Sequence, residues 1–344
     1  MKSQYSELIG PLTKFRKNKI DPHVEEDDKN EHFRLELYQE LGALGFCGMV
    51  LNEEFEGLGL GYQEFCEVLK ELAKSSVSYA VTISVSTMVQ AMIEKYGNQK
   101  QKLKYLPELT SGQAIAAFAL SEAGSGSDAA ALKTTATKTD GGYLLSGSKM
   151  WITSGGVAET YLVMARTGEA GAKGISAFLV KKGSPGFSFG KKESKMGWKV
   201  SPTRELVFEN CFVSEENLLG SLGQGFSIAM DALDRGRITI GAIAAGLSAR
   251  AIEESLKYSL IRKQFGQNIF DFQGIQFMLS EMETESQASW LVVKEAARLY
   301  DQHEPFQKFA CMAKLKATDV AMKVTTDAVQ ILGGVGYTTE YPVE

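Results

Sequence analysis

Several residue types are scarce in this 344-residue sequence, and each shortage argues against a class of protein. Only seven prolines are present, which leaves little room for disordered linkers. The four cysteines, Cys47, Cys66, Cys211 and Cys311, show no C-x-x-C spacing, which argues against a metal site and against a disulfide framework. We therefore interpret them as reduced thiols in the core.

Histidine is scarcer still, with only His23, His32 and His303, none near another. Three separate histidines argue against a histidine-based metal site or catalytic triad, and we predict no metal site. The 37 Lys and Arg against 42 Asp and Glu give a net charge of −5 without a long basic run. A nucleic-acid-binding surface is therefore not expected.

Long hydrophobic runs are also missing. No apolar run approaches the ~18 residues that a membrane span requires. The first ten residues, MKSQYSELIG, lack the apolar segment of a signal peptide and the Arg and Ser bias of a transit peptide. We expect a globular protein without a membrane span, cytoplasmic by default, and long enough for two or three domains.

The pattern of hydrophobic residues and of turn-forming residues changes twice along the chain. Residues 1–113 follow a helical pattern, and residues 217–344 carry three long segments with broad apolar faces. Residues 114–216 contain short β-rich runs separated by Gly, Ser, Asp and Pro. We predict an α+β fold that is mostly α: an N-terminal helical domain, a central antiparallel β-barrel or sandwich, and a C-terminal four-helix-type bundle packed on a partner subunit.

The segment FALSEAGSGSD, Phe118–Asp128, begins as a strand and ends as a Gly- and Ser-rich loop. The strand's terminal backbone groups, the hydroxyl of Ser121 and the two glycines suit a planar heterocycle or a phosphate. A hairpin loop explains the same residues. No crossover helix follows, so the segment is not a dinucleotide-binding fingerprint.

Two further motifs allow a ligand-binding and a structural interpretation. In KMWITSGG, Trp151 beside the hydroxyl of Thr153 suits a flat redox ring, although a tryptophan is also a common core residue. In MDALDRGRITIG, Asp234 and Arg237 occupy a predicted helix. An arginine there suits a carboxylate or a phosphate, and a solvated helix face is the alternative.

Six ordered segments resemble the acyl-CoA dehydrogenase family, closest to its short-chain, butyryl-type members: FALSEAGSGSD, KMWITSGG, MGWKVSPTRELVFENCFVSEENLLG, LDRGR, RKQFGQ and DAVQILGGVGYTTEYPVE. The resemblance runs from about residue 3 to the last residue. It implies the same three domains, with FAD between the β-domain and the helices. The implied activity is α,β-dehydrogenation of a short-chain acyl-CoA thioester in fatty acid β-oxidation. A carboxylate removes the α-proton, the β-hydride goes to flavin N5, and an electron-transfer flavoprotein takes the electrons.

The same resemblance implies the site residues. Phe118, Leu120 and Ser121 are expected along the flavin ring, with Trp151 and Thr153 packing on it and bonding near its N5. The residues expected to reach the FAD of a neighbouring subunit are Arg262, Gln264, Phe265, Gln273, Gln330, Gly333 and Gly334. Those matched to contacts with the CoA substrate are Ser127, Asp234 and Arg237. Shared cofactor sites imply a homodimer at least, and a homotetramer is the family expectation.

The family's catalytic base is not matched. The usual base is a Glu in a Tyr-Glu-Gly segment shortly after EYPVE, whereas this sequence stops at Glu344. Some members place a Glu just before the position of Arg237, which here is Gly236. Neither Glu344 nor Glu122 is expected to take over the role. We expect that the sequence is a shortened version of a longer protein, inactive in this form; the alternative is that this member has lost the base. Its catalytic residue stays unknown.

Three alternatives keep the same motifs. In the first, the substrate is an acyl group bound to a carrier protein instead of CoA. In the second, the protein is a non-catalytic subunit that binds flavin or acyl-CoA. In the third, it is an oxidase whose flavin is open to oxygen. The absent base favours the second alternative, and Asp234 with Arg237 favours CoA over a carrier protein.

Overall fold

The computed structural model describes residues 2–344, with side chains from Leu8 onward. The α-helices are α1 (Lys2–Phe15), α2 (Val24–Asn30), α3 (Leu35–Ala43), α4 (Tyr62–Ala73), α5 (Val77–Tyr96), α6 (Gln99–Thr110), α7 (Gly225–Ile261), α8 (Gln273–Asp301) and α9 (Gln307–Leu332). The strands are β1 (Ala116–Ala119), β2 (Thr135–Thr139), β3 (Gly142–Thr153), β4 (Thr160–Arg166), β5 (Ile175–Lys181), β6 (Phe187–Lys192), β7 (Thr203–Ser214), β8 (Leu218–Leu219), β9 (Lys263–Gln264) and β10 (Gln267–Asn268). The predicted order of helices, strands and helices is confirmed.

One large sheet has the strand order β6-β7-β3-β2-β4-β5-β8, with β1 added beside β4. Most neighbours are antiparallel, as predicted, but β4 pairs in parallel with both β1 and β2, with Ala116 opposite Thr160 and Thr135 opposite Arg166. The path of pairings does not return to its start, so the sheet is open instead of a closed barrel.

Two strands of the sheet, β4 and β5, are buried on both faces. Every residue of β4 and of β5 is buried except the last of each strand. Strands buried on both faces have continuous apolar runs, which explains why TYLVMAR and ISAFLVK do not alternate. Met92 of α5, Leu106 of α6 and Ile228 of α7 belong to the same buried cluster.

The chain forms two compact units, which do not follow chain order. The sheet unit comprises Glu26–Leu60 and Val81–Gly236. The helical unit comprises the chain up to Glu25, Gly61–Ala80 and Arg237–Glu344. The three consecutive domains 1–113, 114–216 and 217–344 remain a prediction.

In the helical unit, α4 joins the three C-terminal helices. The carboxylate of Asp301, the last residue of α8, accepts hydrogen bonds from Tyr62 N (2.7 Å) and Gln63 N (3.1 Å) and so caps the start of α4. The rings of Tyr62 and Tyr300 lie 4.3 Å apart. A distant side chain therefore replaces the local cap that Gly61 lacks.

The cysteine prediction needs one correction. Cys47, Cys66 and Cys211 are buried free thiols, and burial raises the pKa of Cys47 to about 12. Cys311 is exposed, because it lies on the outward face of α9, so it is not a core thiol. Within residues 2–344, no helix combines the length and the apolar character needed to cross a membrane.

Candidate active site

The loop after β1 is held against β3. Phe118 is half-buried and packs on the core of the sheet unit, and Leu120 is 8% exposed. The carbonyl of Ser121 accepts a hydrogen bond from Met150 N over 2.8 Å. Ser127, the predicted substrate contact, is exposed farther along the loop. The loop therefore presents Ser121 beside the end of β3 and Ser127 to solvent.

A bulge in β3 presents Trp151. Lys149 pairs with Leu206 and Ile152 pairs with Arg204, so β3 advances three residues while β7 advances two. The extra residue puts Trp151 in the left-handed region at φ +63°, with its side chain 57% exposed. A bulge with this backbone conformation usually carries glycine, which makes a tryptophan there unusual. Trp151 is therefore not a core residue, and the core alternative for it is wrong.

A cleft of ≈ 380 Å³ opens beside Thr153. Its walls are Thr153, Lys195, Met196, Gly197, Trp198, Ser201 and Thr203. Met196 is fully exposed and Trp198 is 46% exposed, again at positive φ (+53°). The sequence interpretation did not single out Met196 or Trp198, although the segment MGWKVSPT was among the motifs. The cleft therefore combines an exposed indole and an exposed thioether with the hydroxyls of Thr153, Ser201 and Thr203.

Ser154 follows at the end of β3 and is fully buried. Its N–H donates to the carbonyl of Pro202 over 2.7 Å, and its φ is +64°. Its Oγ has no hydrogen-bond partner among the described residues. A buried hydroxyl without a partner is costly, and such groups gather at functional sites.

A buried charge pair lies behind these segments. The Nζ of Lys149 donates to Glu122 Oε1 over 2.7 Å and to the carbonyl of Leu120 over 3.1 Å. Burial lowers the pKa of Lys149 to about 8, although Glu122 opposes the shift. Burial raises the pKa of Glu122, but the Lys149 ammonium and hydrogen bonds from Thr134 and Lys133 outweigh it, so the pKa lies below its ordinary value.

Sequence reasoning missed Lys149. The available signal was a lysine in the middle of YLLSGSKMWIT, a strand otherwise without charges. The same pair shows why Glu122 is unsuited to act as a base: its carboxylate is ionised, paired and hydrogen-bonded to backbone N–H groups.

The residues predicted to reach a neighbouring FAD lie in the helical unit. Phe265 is 94% exposed at φ +51° in the turn between β9 and β10, flanked by the exposed Arg262 and Gln264. Gln273, the first residue of α8, is exposed too. The C-terminal end of α9 exposes the rest of the predicted set: Gln330, Gly333 and Gly334. All seven are therefore surface residues of their own unit.

The predicted CoA contacts Asp234 and Arg237 are half-buried on α7. Gly236, one of the two family positions for a base, lies between them, and a Cβ there would meet Met88 Sδ at 3.4 Å, an ordinary contact. A side chain is therefore admissible at this position. Glu344 is exposed. In the described part of the chain, no group of three His, Cys, Asp or Glu is arranged to hold a metal ion.

Models of the acyl-CoA dehydrogenase N-terminal, middle and C-terminal domains match residues 5–113, 117–211 and 223–344. The mitochondrial isobutyryl-CoA dehydrogenase of Dictyostelium discoideum is 45% identical over 332 residues, covering 96% of this chain and 80% of the relative. The chain therefore belongs to the acyl-CoA dehydrogenase family, oxidoreductases that act on a CH–CH bond with FAD as cofactor, and the recognition from six motifs is confirmed.

Two solved structures agree with this assignment. Butyryl-CoA dehydrogenase from Megasphaera elsdenii is 40% identical and covers 98% of this chain and 90% of its own, with a TM-score of 0.97. A chain from a study of the electron transferring flavoprotein of Acidaminococcus fermentans and of flavin-based electron bifurcation is 43% identical, with the same coverage and a TM-score of 0.97.

The sheet unit fits the family's cofactor. The exposed indole of Trp151 offers an aromatic face, Thr153 offers a hydroxyl at the cleft, and Ser154 Oγ is buried without a partner. A flat ring with nitrogen acceptors needs an aromatic surface and a nearby donor. The cleft is within the range of small-molecule sites, roughly 300–1,000 Å³.

Proposed function

We propose that this protein oxidises short-chain acyl-CoA thioesters at the α,β bond, using FAD bound in the sheet unit where the loop after β1 lies against the end of β3. The observation that carries the proposal is Trp151, held exposed at positive φ beside Thr153 and an open cleft. Relatives named isobutyryl-CoA and butyryl-CoA dehydrogenase support a short acyl chain.

Each predicted residue has a role in this proposal. Trp151 packs on the cofactor's ring, Thr153 donates a hydrogen bond to it, and Phe118, Leu120 and Ser121 line its edge. When bound, FAD supplies the acceptor for the β-hydride and its electrons. Ser127, Asp234 and Arg237 hold the CoA portion of the substrate. The seven exposed residues of the helical unit contact the cofactor of a neighbouring subunit.

Removal of the α-proton requires a carboxylate with a pKa raised by burial towards the working pH. Glu122 does not meet this requirement, because its pKa is lowered by Lys149 and by backbone donors. Gly236 offers no carboxylate, and the other family position lies in a Tyr-Glu-Gly segment that the 344 residues do not contain. A base introduced at either position tests the proposal directly.

The remaining partners follow from the same proposal. An electron-transfer flavoprotein takes the electrons, in keeping with the similarity to a chain from a study of such a protein. A homotetramer, or at least a homodimer, places the helical unit's exposed residues on a second cofactor. We propose the cytoplasm as its compartment.

The test is a visible spectrum of the purified chain with FAD, recorded anaerobically before and after butyryl-CoA is added. Three versions are compared: the chain itself, the chain extended by the Tyr-Glu-Gly segment, and Gly236→Glu. We expect all three to bind FAD, and we expect butyryl-CoA to bleach the flavin band in at least one version that carries a base.

Two results contradict the proposal. Folded protein that never binds FAD removes the cofactor assignment. Bound FAD whose band shifts with butyryl-CoA but is bleached in no version, including the two with a base, indicates a non-catalytic binding role. Repeating the titration with a butyryl group on a carrier protein separates the carrier-bound alternative, which predicts faster bleaching with that substrate than with the CoA thioester.

A further inference from the structure

A buried ion pair lies directly behind the two segments assigned to the flavin. Lys149 precedes Trp151 by two residues on β3, and Glu122 follows Ser121 in the loop after β1. The Lys149 side chain is fully buried and that of Glu122 is 9% exposed. Charges removed from water in this way are costly unless their hydrogen bonds are satisfied.

Both members of the pair also bind backbone groups. The Glu122 carboxylate accepts from Lys133 N at 2.6 Å and from Thr134 N at 2.9 Å, which ties the loop to the segment entering β2. The Lys149 ammonium donates to the carbonyl of Leu120 at 3.1 Å, which ties β3 to the end of β1. The pair therefore connects three segments of the sheet unit at one point.

These connections lie directly before a strained residue, Trp151. The bulge leaves Met150 and Trp151 without register partners on β7, and Met150 N donates to the carbonyl of Ser121 instead. A non-glycine residue at positive φ persists only where its surroundings determine it strongly. The surroundings of Trp151 on its N-terminal side are the Lys149 and Met150 contacts just described.

We propose that the Lys149–Glu122 pair positions the flavin site: it holds Leu120 and Ser121 against the bulge that presents Trp151 and Thr153. Lys149 and Glu122 are positioning residues, because they act through the loop and the bulge instead of touching substrate. This inference rests on the proposed FAD site. A lysine and a glutamate are required together, since the carboxylate serves two backbone N–H groups and the ammonium serves one carbonyl.

The test compares this pair with a matched pair on the surface of the same unit. Lys138 and Glu215 also lie 2.7 Å apart, but their side chains are 56% and 61% exposed. The variants are Lys149→Met, the neutral double variant K149M/E122Q and the control Lys138→Met, each as the full chain freed of FAD. FAD is titrated in by flavin fluorescence, the absorbance fine structure of bound flavin is recorded, and unfolding without FAD is measured by circular dichroism.

We expect K149M and the double variant to bind FAD about tenfold or more weakly than K138M, as for other residues that orient a binding shell. We also expect a flavin band with altered fine structure. A pair that only stabilises the sheet would lower the unfolding temperature of the FAD-free chain but leave affinity and band shape unchanged. That pattern in the double variant would overturn the proposal.

The remaining outcomes are also decisive. The double variant avoids an unpaired buried charge, so it is expected to fold even where K149M does not. If neither variant folds in excess FAD while K138M does, the pair belongs to the stability of the sheet and the proposal is wrong. If K138M and the unmodified chain also fail to bind FAD, the proposed function fails instead.

Discussion

Two segments that we propose to contact the cofactor differ in how their shape is determined. Trp151 in the sheet unit and Phe265 in the helical unit are both aromatic, exposed and at positive φ. Behind Trp151 are the Lys149–Glu122 pair and the bond from Met150 to Ser121. Phe265 lies in the turn of the short β9–β10 hairpin, and its ring meets the ring of Phe272 edge-on, with centroids 6.1 Å apart.

The difference indicates where each segment obtains its support. The Trp151 segment is organised by buried groups of its own unit, so its form should be present before any ligand arrives. The Phe265 hairpin presents its side chains outward, which suits the proposed contact with a neighbouring subunit's cofactor. Changes at the first segment should therefore affect the folding of the chain, and changes at the second should affect assembly.

The largest expected contrast comes from truncating one apolar side chain in each segment. Ile152, next to Trp151, is 2% exposed, and Ile152→Ala should lower the free energy of unfolding by about 2–5 kcal/mol because a cavity forms. Phe265→Ala should change it by less than about 0.5 kcal/mol, because the ring is almost fully exposed. Chemical denaturation measures both, and equal losses would remove the contrast.

Titration of the buried pair is the next largest effect. Burial lowers the pKa of Lys149 from 10.5 to about 8, so between these values the unfolded chain binds more protons at this residue than the folded chain does. Stability from this group therefore rises with pH across that window, by at most about 1.4 kcal/mol per pH unit. Denaturation of the wild type and of K149M/E122Q from pH 7.5 to 10 measures the slopes, and equal slopes would contradict the assignment.

A smaller effect is expected at the hairpin turn. Gly266 follows Phe265 at φ +80°, and a Cβ there would meet no atom within 4 Å. Gly266→Ala should therefore cost about 1–2 kcal/mol through backbone conformation alone, without a steric clash. Gly274→Ala, in the first turn of α8, also meets nothing within 4 Å and has no positive φ, which makes it the control. A loss of stability at Gly274 equal to that at Gly266 would show that backbone strain is not the cause.

A smaller change in stability than at Gly266 is expected at Trp151 itself. Trp151→Gly removes a mostly exposed ring and relieves the strain of φ +63°, while glycine raises the entropy of the unfolded chain. The two effects oppose each other, so unfolding without FAD should shift by less than about 1 kcal/mol. FAD affinity should nevertheless fall because the stacking surface is gone. Unchanged affinity in a fluorescence titration would remove Trp151 from the site.

Much of the fold could be predicted because its signals are local. Runs such as TYLVMAR and ISAFLVK have the length and β-branched content of buried strands, and they form β4 and β5. Strand β6, FSFGKK, gives no comparable local signal. It is short, and it is held by long-range aromatic contacts: Phe187 stacks on Phe208 at 4.9 Å and meets Tyr161 edge-on at 5.0 Å. Such contacts leave no periodic pattern.

The sequence alone determined the family, the order of helices and strands and the motifs that carry the candidate site, because these depend on residues close together in the chain. Tertiary structure decided which of them act together. Glu122 and Lys149 are 27 positions apart, and their pairing became visible only when the loop after β1 came to lie on β3. Likewise, the positive φ of Trp151 follows from the mismatch between β3 and β7, a property of two strands and not of either one alone.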